Sequence, residues 1–287
     1  MATGREHSVE SEKKPVRSVG NNTRRFATLT LALGLLLTAG CKSPETRVRP
    51  VGAGPERSQP QSLTIGQSVE GRPMECVVFG DGPDVILFLS TIHGNEPAGT
   101  PLLHRLADHL VQQPQLLNGR QVVLLPLANP DGMARGQRHN VHGVDLNRNF
   151  PASNFENGSH TGSSALSEPE STAVHRLIGT FHPGRIVSLH QPANEGNACI
   201  DYDGPADALA RAMAARCDLP VKQLGCRSGS LGSYAGLMLG IPIVTVELPK
   251  DAGTWAPGAI WDRYGQMLLA AIVFSQSASG GPAGATK

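Results

Sequence analysis

His93 and Glu96, three residues apart, define the first chemistry this chain can attempt. On a turn or a first helical turn, side chains at that spacing can face one point. Imidazole and carboxylate are good zinc ligands, and a catalytic zinc takes three protein ligands while leaving one position for water. Two are supplied locally, so the third must come from elsewhere, and His190, at the end of an apolar run over 185–190, is the best candidate. His-x-x-Glu by itself is a common pattern in a chain with 10 histidines. The others read as surface or satisfied side chains: His104, His109 and His175 in helical patterns, His139 and His142 in a polar loop, His160 and His182 beside turn residues.

Glu247 ends the apolar stretch Ile243-Val244-Thr245-Val246. Burying an ionised carboxylate without partners is expensive. Such a residue is either paired structurally or a general base whose pKa is raised. The segment 138–151 is the most specific stretch, carrying Arg138, Asn147 and Arg148. A guanidinium presents a planar fork that suits a carboxylate, and an amide beside it adds a donor. A polar loop with arginines in surface ion pairs is the plain alternative.

These residues need a scaffold, and the pattern supplies one. Apolar runs at 84–90, 121–128, 185–190, 198–203 and 241–247 read as strands, mostly continuous, as expected where both faces are covered. Helical periodicity falls at 101–112, 170–178, 207–217 and 260–275, with Leu102, Leu103, Leu106 and Leu110 on one stripe. The expected fold class is α/β, a mostly parallel or mixed central sheet with helices on both faces. Ser167 and Glu170 have the spacing of a capping box. The chemically capable residues collect just after the strand-like runs, where ligands bind in such sheets.

Twenty-five Lys and Arg against 24 Asp and Glu leave a formal charge of +1. Without residues 1–40 the balance is 19 basic to 21 acidic. That excludes the basic excess a nucleic-acid partner requires. Arg24 and Arg25 precede an apolar run over 26–39, too short to span a bilayer but of signal-peptide length. Expected organisation is a signal peptide at 1–40, an anchor cysteine and flexible tether at 41–61, a catalytic domain at 62–275 and a disordered tail at 276–287. Leu37-Thr38-Ala39-Gly40-Cys41 resembles the bacterial lipobox, which implies lipidation of Cys41, membrane attachment and a periplasm-facing place in the cell envelope. An ordinary secretory signal is the alternative, and the Arg pair leaves twin-arginine export open. Cys76, Cys199, Cys217 and Cys226 are an even set for disulfides in an exported protein, or small core residues.

The chain resembles the zinc carboxypeptidases of the carboxypeptidase A kind, and within them the bacterial murein peptide amidases, which cut γ-D-glutamyl-diaminopimelate bonds. The resemblance rests on His93-Gly94-Asn95-Glu96-Pro97, 143–151, 167–170, Ser188-Leu189-His190-Gln191-Pro192, 201–205, 229–234 and Val246-Glu247-Leu248-Pro249, in the family's order. It implies one zinc ion held by His93, Glu96 and His190, Glu247 as general base and later proton donor, and Arg138 as stabiliser of the carbonyl oxygen. Asn147 and Arg148 would clamp the substrate's carboxylate. Two departures stand out. Gly225 occupies the place where digestive relatives carry a mobile tyrosine, and Asn95 replaces an arginine between the local ligands.

Two other functions compete. Deacylases of the aspartoacylase and desuccinylase kind share His-Gly-Asn-Glu and Asp-Leu-Asn-Arg, but continue into a further β-rich domain, whereas 40 residues follow Glu247 here. A non-catalytic cell-wall-binding lipoprotein on the same fold would be expected to have lost a ligand or the base, and none is missing.

Overall fold

Why the strands lie where they do follows from side-chain parity. In a computed structural model describing residues 59–275 other than Glu195, β3 (Asp84–Ser90) sends Ile86 and Phe88 to one side of the sheet and Leu87 and Leu89 to the other. Both sets are buried in separate apolar clusters. A strand covered on both faces has no polar alternate position, hence its continuous apolar run.

Seven strands form one mixed sheet in the order β1-β2-β4-β3-β5-β7-β6. The central four, β4 (Arg120–Leu125), β3, β5 (Arg185–His190) and β7 (Ile243–Glu247), are parallel. β1 (Gln61–Gln67) and β2 (Pro73–Phe79) form an antiparallel hairpin at one edge, and β6 (Cys199–Asp203) pairs antiparallel to β7 at the other. Helices α1 (Gly99–Gln112), α4 (Asp207–Ala214) and α5 (Pro257–Val273) share one apolar cluster, whereas α3 (Pro169–Phe181) lies in the cluster on the other face. The expected α/β sheet with helices on both faces is the fold observed.

Boundaries moved where proline intervenes. β4 stops at Leu125 before Pro126, β7 starts after Pro242, and α5 starts three residues before the expected position with Pro257 in its first turn. The expectation of a capping box at Ser167 fails. Glu168 is the N-cap and makes no side-chain cap bond, while Ser167 Oγ donates to Glu168 Oε1. Glu170 instead accepts from Val69 N and Asn140 Nδ2, fastening α3 to the segment after β1 and to the 138–151 loop. The four cysteines in the described residues are free, with Cys76 and Cys199 buried. Cys41, the expected signal, most of the tether and the tail at 276–287 lie outside the described residues, as does Glu195.

Candidate active site

β3 ends at the middle of the sheet, and the turn after it carries His93 and Glu96. Thr91 turns the chain with φ +51°, an unfavourable conformation for a β-branched residue. Its hydroxyl is tied to Glu96 O (3.3 Å) and to Thr100 Oγ1 (2.8 Å). Gly94 presses against α2 (Pro130–Arg135): a Cβ there would lie 2.0 Å from the Gly132 carbonyl carbon. Its N–H donates to Arg138 O at 3.2 Å. Asn129 secures the same junction, capping α2 through Gly132 N (2.8 Å) and donating to the carbonyls of Ile92 and Arg138.

The sheet brings the remote residues to this turn. β5 runs parallel beside β3 and ends at His190, and the next strand, β7, pairs His190 with Glu247. His93 Nδ1 is 2.9 Å from Glu96 Oε1, and His190 Nδ1 is 3.0 Å from Glu96 Oε2. The two Nδ1 atoms are 3.2 Å apart. One atom from each of the three residues lies within 4.8 Å of the others, and all three residues are buried. Each outer ring nitrogen is also engaged: His93 Nε2 with Asp145 Oδ1 (3.1 Å), His190 Nε2 with Ser188 Oγ (2.9 Å). Partners of this kind fix ring orientation in metal sites. Gln191 braces the turn from behind, its N–H on Glu96 Oε2 (3.2 Å) and its Oε1 accepting from Ala98 N (2.9 Å).

Charge is concentrated here. Burial pulls the His93 imidazole down, but Glu96 and Asp145 outweigh it and leave it above its ordinary value. Burial likewise pushes Glu96 and Asp145 up, yet the imidazoles, and for Asp145 also Arg138, hold both well below the usual carboxylate range. Glu247 differs: burial raises it, and the pull of His190 does not compensate. Its Oε2 is enclosed and has no hydrogen-bond partner in the described structure. Two inward-facing imidazole nitrogens around a carboxylate, with an unsatisfied carboxylate oxygen on the neighbouring strand, fit a divalent cation. The His, His, carboxylate set suits zinc with a position left open.

Arg138 reaches the site with Nε on Asp145 Oδ2 and Nη1 on Glu96 Oε1, both 3.0 Å. Asn147 and Arg148 follow on a short 3-10 turn capped by Asp145, whose Oδ1 accepts from Asn147 N. Asn147 Oδ1 accepts from Leu231 N (2.8 Å), which orients the amide and leaves its NH2 for other partners. Asp145, Ser188 and Gln191 had no individual role in the sequence reading. Asp145 is 52 residues from His93, and only its place two residues before Asn147 could have pointed to it.

Parallel strands delivering ligands to one turn describe a metallohydrolase of the carboxypeptidase type. The zinc carboxypeptidase family model matches residues 56–205, and this chain belongs to that family of zinc-dependent metallopeptidases. Murein peptide amidase A of Escherichia coli K12 is 34% identical over 181 residues, covering 57% of this chain and 70% of the relative. The human carboxypeptidase N catalytic chain is 30% identical over 197 residues, 55% of this chain but 43% of the relative. Among solved structures, murein-tripeptide amidase from E. coli O157 superposes with a TM-score of 0.58 at 27% identity, over 75% of this chain and 93% of that one.

Proposed function

We propose that the protein hydrolyses murein peptides at the γ-D-glutamyl-diaminopimelate bond. The observation that carries this reading is Glu247, with an enclosed carboxylate oxygen that has no hydrogen-bond partner among the described residues, on the strand position paired to His190. Support for the substrate comes from the 34% identity to murein peptide amidase A and from Gly225 where digestive relatives place a tyrosine.

His93, Glu96 and His190 would hold the zinc, which when bound lowers the pKa of water toward ~7 and polarises the scissile carbonyl. Glu247 takes a proton from the attacking water and returns it to the nitrogen of the departing diaminopimelate. In the metal-free site burial raises its pKa, and its enclosed oxygen has no partner among the described residues that would hold it from proton transfer. Arg138 already uses two N–H groups on Asp145 and Glu96, and its others donate to the carbonyl oxygen as negative charge develops there. Asn147 Nδ2 and Arg148 bind the α-carboxylate of diaminopimelate and thereby align the amide. The protein acts from the cell envelope, held by a lipid on Cys41; Cys41→Ser then moves it to the soluble fraction, and unchanged membrane fractionation would count against the anchor.

The test is incubation of the zinc-loaded protein with L-Ala-γ-D-Glu-diaminopimelate, with products read by mass. Release of free diaminopimelate that stops on chelation is expected. Cleavage of ordinary C-terminal peptides with this tripeptide left intact would overturn the bond assignment, and turnover by Glu247→Gln at the normal rate would remove the base.

A further inference from the structure

Asp201 and Asp203, acidic residues at the end of β6, do not face outward for a ligand. Asp201 Oδ1 accepts from Leu224 N (2.8 Å) and Asp203 Oδ1 accepts from Cys226 Sγ (2.8 Å). Gly232 packs so closely that a Cβ would sit 2.1 Å from Asp203 Oδ2. The two acids therefore hold a loop, and that loop carries Arg227.

The same loop is laid across the Asn147 and Arg148 turn. Gly229 N donates to Asn154 Oδ1 (3.2 Å), Phe150 N to Gly229 O (2.9 Å), and Leu231 N to Asn147 Oδ1 (2.8 Å). Gly229, with φ +61°, lies where a Cβ would meet Arg148 O at 2.3 Å. The Arg227 carbonyl is pinned by Ser230 N (3.0 Å) and Ser233 Oγ (2.7 Å). Its side chain is exposed, and no carboxylate among the described residues is within salt-bridge distance. Arg148 is half-buried, and among the described residues its guanidinium hydrogen-bonds only to the Asn147 carbonyl, with the Asp145 charge nearby but not in salt-bridge contact. Arg138, by contrast, has its charge answered twice.

The two guanidinium groups thus sit on interlocked turns, and neither forms a salt bridge with a carboxylate among the described residues. Burial lowers the Arg148 pKa, the nearby charges of Asp145 and Glu96 oppose that, and the charges of Arg138 and Arg227 add to the lowering. A ligand bearing two negative charges would give each of these guanidinium groups a carboxylate partner. We propose that Arg227 is a specificity-determining residue that binds a second carboxylate of the substrate, while Asn147 and Arg148 take the first. This rests on the murein-peptide reading, because such peptides offer two sources of the second charge: the free α-carboxylate of γ-linked D-glutamate and the distal carboxylate of diaminopimelate.

Three peptides separate the sources: L-Ala-γ-D-Glu-diaminopimelate, its analogue with the D-glutamyl α-carboxylate amidated, and its analogue with lysine replacing diaminopimelate. Arg227→Ala should lower kcat/KM on the first about 10- to 100-fold, the range of one charged hydrogen-bonded contact. It should leave one of the two analogues unchanged, the one lacking the carboxylate that Arg227 reads, and Arg227→Lys should restore part of the loss. Calorimetric binding of the three peptides to zinc-loaded Glu247→Gln, with and without Arg227→Ala, reads the same contact without hydrolysis. An equal loss on all three peptides, or none, overturns the role of Arg227. No cleavage by the wild type together with carboxylate-dependent binding through Arg227 would overturn the hydrolytic reading and leave this one standing.

Discussion

Asp145 serves two partners at once, Oδ1 for His93 and Oδ2 for Arg138. One side chain thus orients both the His93 imidazole of the candidate metal site and the Arg138 guanidinium proposed to meet the carbonyl oxygen. Asp145→Ala should weaken zinc binding about 10- to 100-fold, measured by competition with a chromophoric chelator, and should lower turnover even at saturating zinc because Arg138 loses its brace. Glu247→Gln should separate the two effects: kcat falls by about 10²- to 10⁴-fold, while zinc content, read by atomic absorption, is unchanged. Equal zinc loss in both variants would mean that Glu247 supports the metal rather than the proton transfer.

Elements act on the site through close backbone contacts. Gly94 is the clearest case, since its turn touches α2 with no space for a methyl group. Gly94→Ala should cost about 2 kcal/mol or more by overpacking, seen as a lowered denaturation midpoint, and should weaken zinc binding because His93 moves with the turn. What the sequence discloses follows the same division. β3, β5 and the helix α1 were legible because burial on both faces, or along one stripe, writes a continuous pattern. The hairpin of β1 and β2 was not, because β1 lies at the sheet edge with most of its residues exposed. The short α2, set by Asn129 and Pro130 rather than by periodicity, was missed for a related reason. His93 and Glu96 are close in sequence and His190 and Glu247 end strands, so all four were visible. Gln191 and the loop bearing Arg227 depend on contacts across tens of residues, which no local pattern encodes, whereas Ser188 is only two residues from His190 and its role shows once the strand places its hydroxyl on the ring.

At the scale of the whole molecule, charge in the site couples stability to pH and metal. Glu96 and Asp145 have pKa values below their ordinary 4.5 and 3.8, so near those values the unfolded chain binds more protons than the folded one and stability rises with pH. The stabilisation is present above the ordinary values and is lost as pH falls through and below them. The metal-free protein should accordingly show a falling Tm below about pH 4.5, and Asp145→Asn should flatten that slope in thermal scans. Zinc binds the folded state selectively, so chelation should lower Tm at neutral pH and added zinc restore it. The pairing of His190 with Glu247 across β5 and β7 has an evolutionary consequence as well. Successive strand residues point to opposite faces, so deleting one residue within β7 turns Glu247 away from the site while the sheet can still form. Insertions and deletions in descendants of this chain should therefore collect in the connections far from these strand ends. Lineages that lose activity through a single-residue deletion in β7 should keep a folded protein.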